Sequence, residues 1–276
     1  MTMHRLTAFL LGGILASLPV YPASAQRSAA LERCGDLNET AARAARFCAE
    51  ALEGDLPQGR RALVALNLGL ARMALDNPQA ALPAFDEALA ANPREVRAMA
   101  GRARARMALH DVPRAAVDWN RAVSLAPRDP EIIAGRGAFR LRAGNVEGAL
   151  ADFEQAARLE PRNSVHAFNR GMALAELGRD AEAERAFSQV IASDSDDAEA
   201  WLNRARVRAA RQPAAALDDF SRALALRPEW GLAYFERGLL HLSQNRDEAA
   251  DADFRRAWEL GHRNEYLEQR IRAMGG

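Results

Sequence analysis

Few residues in this chain are equipped for chemistry. Its five histidines are His4, His110, His166, His241 and His262; none forms an H-E-x-x-H pair or stands beside a matching cysteine. A structural or catalytic zinc needs three or four converging ligands, so neither a metal nor any other cofactor is expected. Asp194, Asp196 and Asp197 alternate like part of a calcium loop but lack its central glycine and closing glutamate. The sequence holds no lysine, and all 37 basic residues are arginine. A phosphate-loop lysine, a Schiff-base lysine and a Ser-Lys dyad are thereby excluded. No G-x-S-x-G elbow is present either, and catalysis is not expected.

Two constellations remain. Arg102, Arg136, Arg170 and Arg204 recur at one constant interval and Arg237 arrives one position early, while Asp118, Asp152, Asp219 and Asp253 keep the same beat. Pairing each arginine with the aspartate that follows it satisfies four of the five; pairing it with the preceding one satisfies three. A guanidinium fork can hold a carboxylate with two bonds, so local Arg–Asp bridges are expected. A basic ladder for nucleic acid is the rival reading. The matched acids and a formal net charge of zero argue against it, and no nucleic-acid partner is expected.

The second constellation is Cys34 and Cys48. The stretch 1–25 reads as a secretory signal peptide: His4 and Arg5, an apolar stretch from Leu6 to Leu18, Pro19 and Pro22, then Ala23-Ser24-Ala25 before Gln26. No cysteine follows the cut to carry a lipid, and no later apolar run is long enough to span a bilayer. The mature chain is expected to be periplasmic or secreted, without an integral membrane segment. In an oxidising compartment an even cysteine count reads as a disulfide. Closing a loop of about 15 residues between Cys34 and Cys48 would contribute roughly 3 kcal/mol in the chain-entropy view. A redox pair would favour C-x-x-C spacing, which is missing.

The elements that must position these residues follow from periodicity. Hydrophobic residues make up 49% of the chain and aromatics only 6%, with much alanine, a composition suited to closely packed helices. Pro93, Pro127, Pro161 and Pro228 mark the same interval as the arginines, with Ser195 on the missing tick. Phe85, Trp119, Phe153, Phe187, Phe220 and Phe254 keep it, as do Ala88, Ala122, Ala156, Val190, Ala223 and Ala257. A fixed period of this length signals a stacked repeat architecture.

The pattern resembles the tetratricopeptide-repeat (TPR) family. Six repeats fit, 62–95, 96–129, 130–163, 164–197, 198–230 and 231–264, after an N-terminal helix pair in 26–61 and before a capping helix in 265–276. Position 8 is small throughout: Gly69, Ala103, Gly137, Gly171, Ala205 and Gly238. So is position 20: Ala81, Ala115, Ala149, Ala183, Ala215 and Ala250, with one residue deleted near Pro213. In repeat numbering the arginines above stand at position 7, often leucine in the family, and the aspartates at position 23. The resemblance implies an all-α, right-handed α-solenoid in which each repeat is two antiparallel helices, A and B. Small residues let the axes approach, and the aromatic at position 24 fills the space between neighbours. Gly144 and Gly178 fall in the A–B turn, where positive φ is often needed. One helix pair cannot bury its apolar face alone, so repeats must stack.

The resemblance also implies where a partner sits. The concave groove of such an array is lined by helix A at positions 2, 5, 9, 12 and part of 6. Phe168, Met172, Arg104 and Arg206 are the first groove candidates, followed by Asn67, Asn169 and Asn203 at position 6, where asparagine can hydrogen-bond an extended backbone. The function so implied is a protein-interaction scaffold or adaptor that binds a protein or peptide in the groove. The alternative is a structural scaffold whose apolar ends mediate self-association.

Overall fold

The structure is a computed structural model that describes residues 23–36 and 38–275. The signal-peptide expectation falls mainly on residues 1–22, outside the described residues; Ala23 to Ala25 open the first helix. Among the described residues there are fifteen α-helices and no strand. They divide into two compact units, the described residues up to Pro93 and those from Arg94 onward.

The first unit contains α1 (Ala23–Arg33), α2 (Ala41–Leu52), α3 (Gln58–Ala74) and α4 (Pro78–Ala91). The helix-A element of its repeat starts at Gln58, ahead of the boundary at 62 that the periodicity suggests. Cys34 closes the end of α1, its N–H donating to the Ala30 carbonyl at 2.9 Å, and its sulfur is bonded to Cys48 on α2. The disulfide is buried with Phe47, Ala51, Val64, Leu68 and Ala84. It therefore joins α1 to α2 from inside the core that this pair shares with α3 and α4.

The second unit contains ten helices that alternate as A and B, followed by a cap. They are α5 (Val96–Ala108), α6 (Val112–Leu125), α7 (Pro130–Arg142), α8 (Val146–Leu159), α9 (Ser164–Glu176), α10 (Asp180–Ser193), α11 (Ala198–Arg208), α12 (Pro213–Leu226), α13 (Gly231–Ser243) and α14 (Asp247–Glu259). The cap is α15 (Glu265–Ala273). Each helix packs on the next along the chain, and successive A helices α5, α7, α9 and α11 also touch.

Local chemistry sets the helix ends. Asn77, Asp111 and Asn145 accept from the backbone N–H three residues on, at 3.0, 3.2 and 2.9 Å, and so start the B helices α4, α6 and α8. Five of the six A helices, all but α11, stop in a left-handed residue: Asp76, His110, Gly144, Gly178 and Asn245 have φ between 52° and 80°. The residue after each returns a backbone bond to the last helical turn, for example Asn145 N–H to the Arg140 carbonyl at 2.8 Å. Glycine was expected at two of these turns; aspartate, histidine and asparagine tolerate the same conformation elsewhere.

Packing explains the small residues. A Cβ added to Gly69, Gly137, Gly171 or Gly238 would come within 2.5–2.8 Å of the position-24 ring of its own repeat. Those rings, Phe85, Phe153, Phe187 and Phe254, are fully buried. Trp119 is the one larger ring in this series, and its extra volume is met by Gly135 of the next repeat, where a Cβ would lie 2.5 Å from the indole. In 198–230 the deletion shortens α11 to 11 residues. The fully buried alanine one turn before Phe220 is Ala216, so the register read as Ala215 is corrected by one. The missing residue comes out of the A–B turn, and helix B keeps its phase against the core.

Candidate functional site

The periodic Arg–Asp pairs form as expected, and each lies within its own repeat. Arg102 holds Asp118 through Nε and Nη2 at 2.9 and 2.7 Å. Arg136 holds Asp152 at 3.0 and 2.7 Å, Arg204 holds Asp219 at 2.9 and 2.7 Å, and Arg237 holds Asp253 at 2.8 and 2.7 Å. All four aspartates are buried. An isolated buried carboxylate is expensive, and a two-pronged guanidinium is what makes its burial tolerable. The same arginines reach back to the preceding helix B. Arg136 donates to Asn120, Arg204 to Ser188 and Arg237 to Ser221, at 3.0–3.3 Å. In the last two repeats an aromatic one turn earlier packs on the guanidinium, with Arg204 4.7 Å from the Trp201 ring and Arg237 5.5 Å from Tyr234.

A second arginine, four residues on, completes three of the four sites, and the sequence reading missed it. Arg106, Arg140 and Arg208 donate to Oδ2 of Asp118, Asp152 and Asp219 at 2.6, 2.9 and 2.8 Å, the oxygen that also accepts from Nε of the first arginine. Arg106 and Arg140 also bond the carbonyls of Arg114 and Gly148 in the first turn of helix B, and Arg72 does the same to Ala80 in the first unit. The signal was visible: Arg at i and i+4 on helix A places both guanidinia over one carboxylate. In 231–264 His241 takes the second place, with Nε2 3.9 Å from Asp253 and Nδ1 buried without a partner. Burial pushes the His241 imidazolium towards losing its proton, and Arg237 and Arg246 push the same way against Asp253.

Repeat 164–197 lacks the site. Ala186 replaces the aspartate, Leu174 the second arginine, and both are buried in the core. Arg170 donates instead to Gln189 at 3.2 Å. This repeat directs a carboxylate outward: Glu184 accepts from Arg208, Arg211 and Gln212 of the next repeat at 2.9–3.2 Å. Burial opposes the charged form of Glu184, but Arg208 and Arg211 hold its carboxyl below the ordinary range.

The helix-A face is mixed. Val165 on α9 is 59% exposed. It borders a hollow of about 190 Å³ lined also by Ser164, Phe168, Asp197 and Glu199. Phe168 and Met172 are partly buried against the core, and Phe168 sets its edge on Phe187 with centroids 5.6 Å apart. Arg206 is bound: it grips Glu236 of α13 with two bonds of 2.7 Å and donates to Asn203 at 3.1 Å. Asn203 in turn donates to the Glu199 carbonyl at 2.8 Å. Beside this pair is a hollow of about 380 Å³ with Ala209, Ala210, Phe220, Leu239, Leu240 and Ser243. Arg104 is exposed on α5. Asn169 is half-buried, and so is Asn67, whose amide lies 3.5 Å from where a Cβ on Gly35 would stand, inside the first unit. No three His, Cys, Asp or Glu side chains converge for a metal ion among the described residues, and none of their helices is long and apolar enough to cross a membrane.

Comparison with known proteins agrees with this construction. A tetratricopeptide repeat protein from Parabacteroides merdae is similar over 91% of this chain and 100% of its own, at 20% identity and a TM-score of 0.68. PilW, described as a widely conserved type IV pilus biogenesis factor, aligns over 76% of this chain and 98% of its own at 19% identity and a TM-score of 0.69. YrrB, a TPR protein with an unusual peptide-binding site, aligns over 68% and 96% at 21% identity and a TM-score of 0.55. At these identities the likeness is one of fold. Human tetratricopeptide repeat protein 36 is 38% identical over 97 residues, 33% of this chain, and the match spans about half, 51%, of that protein. The family described as Tetratricopeptide repeat matches residues 66–130, 140–198, 181–212 and 206–261. This chain belongs to the tetratricopeptide-repeat family.

Proposed function

We propose that the second unit is an adaptor that binds a protein or peptide segment along its helix-A face, and that it works in the periplasm or outside the cell. The observation that carries the binding reading is on α9. Val165 is 59% exposed beside a hollow edged by Phe168. An exposed apolar side chain at the rim of a concavity is what a partner's side chain would cover. YrrB offers a parallel in the same fold, since its peptide-binding site is the feature for which it was described. The buried Cys34–Cys48 disulfide supports the compartment, because such bonds persist where thiols are oxidised.

The test is recovery of partners from periplasmic extract by the wild-type protein and by Val165→Arg, a surface change that spares the core. A partner held by the first and lost by the second supports the groove; equal recovery by both moves the site elsewhere. Fractionation of cells expressing the full chain tests the compartment, with cytoplasmic retention as the adverse result.

A further inference from the structure

We infer that the α5 end of the second unit's helix-A face recognises an acidic segment, with Arg104 and Arg97 taking a carboxylate side chain of the partner. The inference rests on the groove reading above and gives it a ligand class. It starts from an internal comparison. Arg206, at position 9 of its repeat, receives a two-pronged carboxylate from Glu236, at position 6 of the next. Arg104 occupies the same position 9, but the residue at position 6 of the following repeat is Gly135, which has no side chain to offer. Gly135 cannot be replaced by an acid, because the Trp119 indole fills the place of its Cβ at 2.5 Å. The carboxylate that completes this register must therefore come from outside the repeat.

The surrounding charge points the same way. Helix α5 carries Arg97, Arg102, Arg104 and Arg106 and no acid. Asp118 takes Arg102 and Arg106, whereas Arg97 and Arg104, two helical turns apart on one face, have no ion-pair partner among the described residues. Glu131 on α7 pairs with neither. Over 96–129 there are seven arginines and three aspartates, a net +4, while 164–197 holds three arginines and seven acids, a net −4. A chain of zero net charge thus concentrates its positive field on α5. There it attracts and orients an acidic partner. The small, exposed Ala138 on α7 leaves room for that partner's backbone beside the arginines.

The experiment uses three labelled dodecapeptides that alternate valine with glutamate, glutamine or arginine, followed by fluorescence anisotropy with the mature protein. Arg104→Glu, Val165→Arg and Arg206→Ala are compared with wild type. The glutamate peptide is expected to bind best, to weaken with salt, to lose about tenfold or more in affinity with Arg104→Glu, and to change little with Arg206→Ala. Equal binding of the glutamate and glutamine peptides, lost in Val165→Arg, would overturn the acidic class while leaving the groove reading in place. Absence of binding by all three peptides would overturn the acidic class as well. Light scattering guards a further outcome: a salt-sensitive dimer abolished by Arg104→Glu would assign the arginines to a second copy, through its acidic 164–197 repeat, and overturn the peptide assignment.

Discussion

Repeats 130–163 and 164–197 have helices of the same lengths, 13 and 14 residues, and the same buried phenylalanine, yet they join their two helices differently. The first uses Asp152 between Arg136 and Arg140. The second uses Leu174 and Ala186 in an apolar contact, keeps Arg170 on Gln189, and gives its carboxylate, Glu184, to the following repeat. There the aspartate and the second arginine are both missing, whereas 62–95 keeps Arg72 with Ala84 in the aspartate's place and 231–264 keeps Asp253 with His241 in the second arginine's place. The comparison teaches that the clamp is built around its buried aspartate: that carboxylate without a guanidinium would be an uncompensated charge, whereas replacement of the whole set by well-packed apolar groups is tolerated.

Breaking one half gives the largest effect. Asp152→Ala leaves Arg136 and Arg140 facing each other without their acid, and should cost about 3 kcal/mol or more in urea denaturation. Adding Arg140→Leu recreates the set found in 164–197 and should recover most of that loss. Arg136 then has a receiver, since Gln155 stands where Gln189 receives Arg170 and uses only its amide nitrogen, on the Pro127 carbonyl. A double variant no more stable than Asp152→Ala would mean that the clamp is not exchangeable as a unit.

The next effect sharpens the comparison of rings. Gly135→Ala should cost about 1–3 kcal/mol, because the methyl group meets the Trp119 indole at 2.5 Å in a packed core. Trp119→Phe should relieve much of that penalty by restoring the ring found in the other repeats. Additive losses in the pair would show that the ring and the glycine do not answer each other. A smaller effect is expected at the A–B turn. His110 holds φ 62° where 130–163 has Gly144, so His110→Gly should raise the thermal midpoint by the equivalent of about 1 kcal/mol.

Much of this was legible in the sequence because it repeats. The aromatic at position 24, the small residue at position 8 and the Arg–Asp pair each recur with constant spacing, and spacing within one helix pair maps directly onto contact. The second arginine was just as periodic, at Arg106, Arg140 and Arg208, one turn after the first. The Arg206–Glu236 pair was not legible. It joins two repeats across the deletion near Pro213, so no fixed offset announces it, and it turns a groove candidate into a bound side chain. Phe168 and Met172 were legible as helix-A positions but not as partners of the core, because Phe168 leans on Phe187, which belongs to the next helix, α10.

The smallest effect concerns the repeat in which the clamp is half-converted. His241 stands where Arg106, Arg140 and Arg208 stand, but its Nδ1 is buried without an acceptor, so a second proton on the ring has no partner. Burial, with Arg237 and Arg246, lowers the His241 pKa below 6.5 in the folded state, and Asp253 offsets this only in part. The unfolded chain therefore binds the proton more readily than the folded one. The contribution of neutral His241 is complete above the unfolded pKa of about 6.5 and is lost as pH falls through the window between that value and the lower folded one. His241→Arg removes the titration and supplies the missing donor to Asp253. The variant should exceed wild type by about 1 kcal/mol or less at pH 8 and by a wider margin at pH 5, read from urea midpoints on both proteins. Carboxylates elsewhere titrate equally in the two chains and cancel in the difference. A margin that stays constant or narrows at pH 5 would show that His241 already serves Asp253 as a cation, and that 231–264 carries a complete clamp after all.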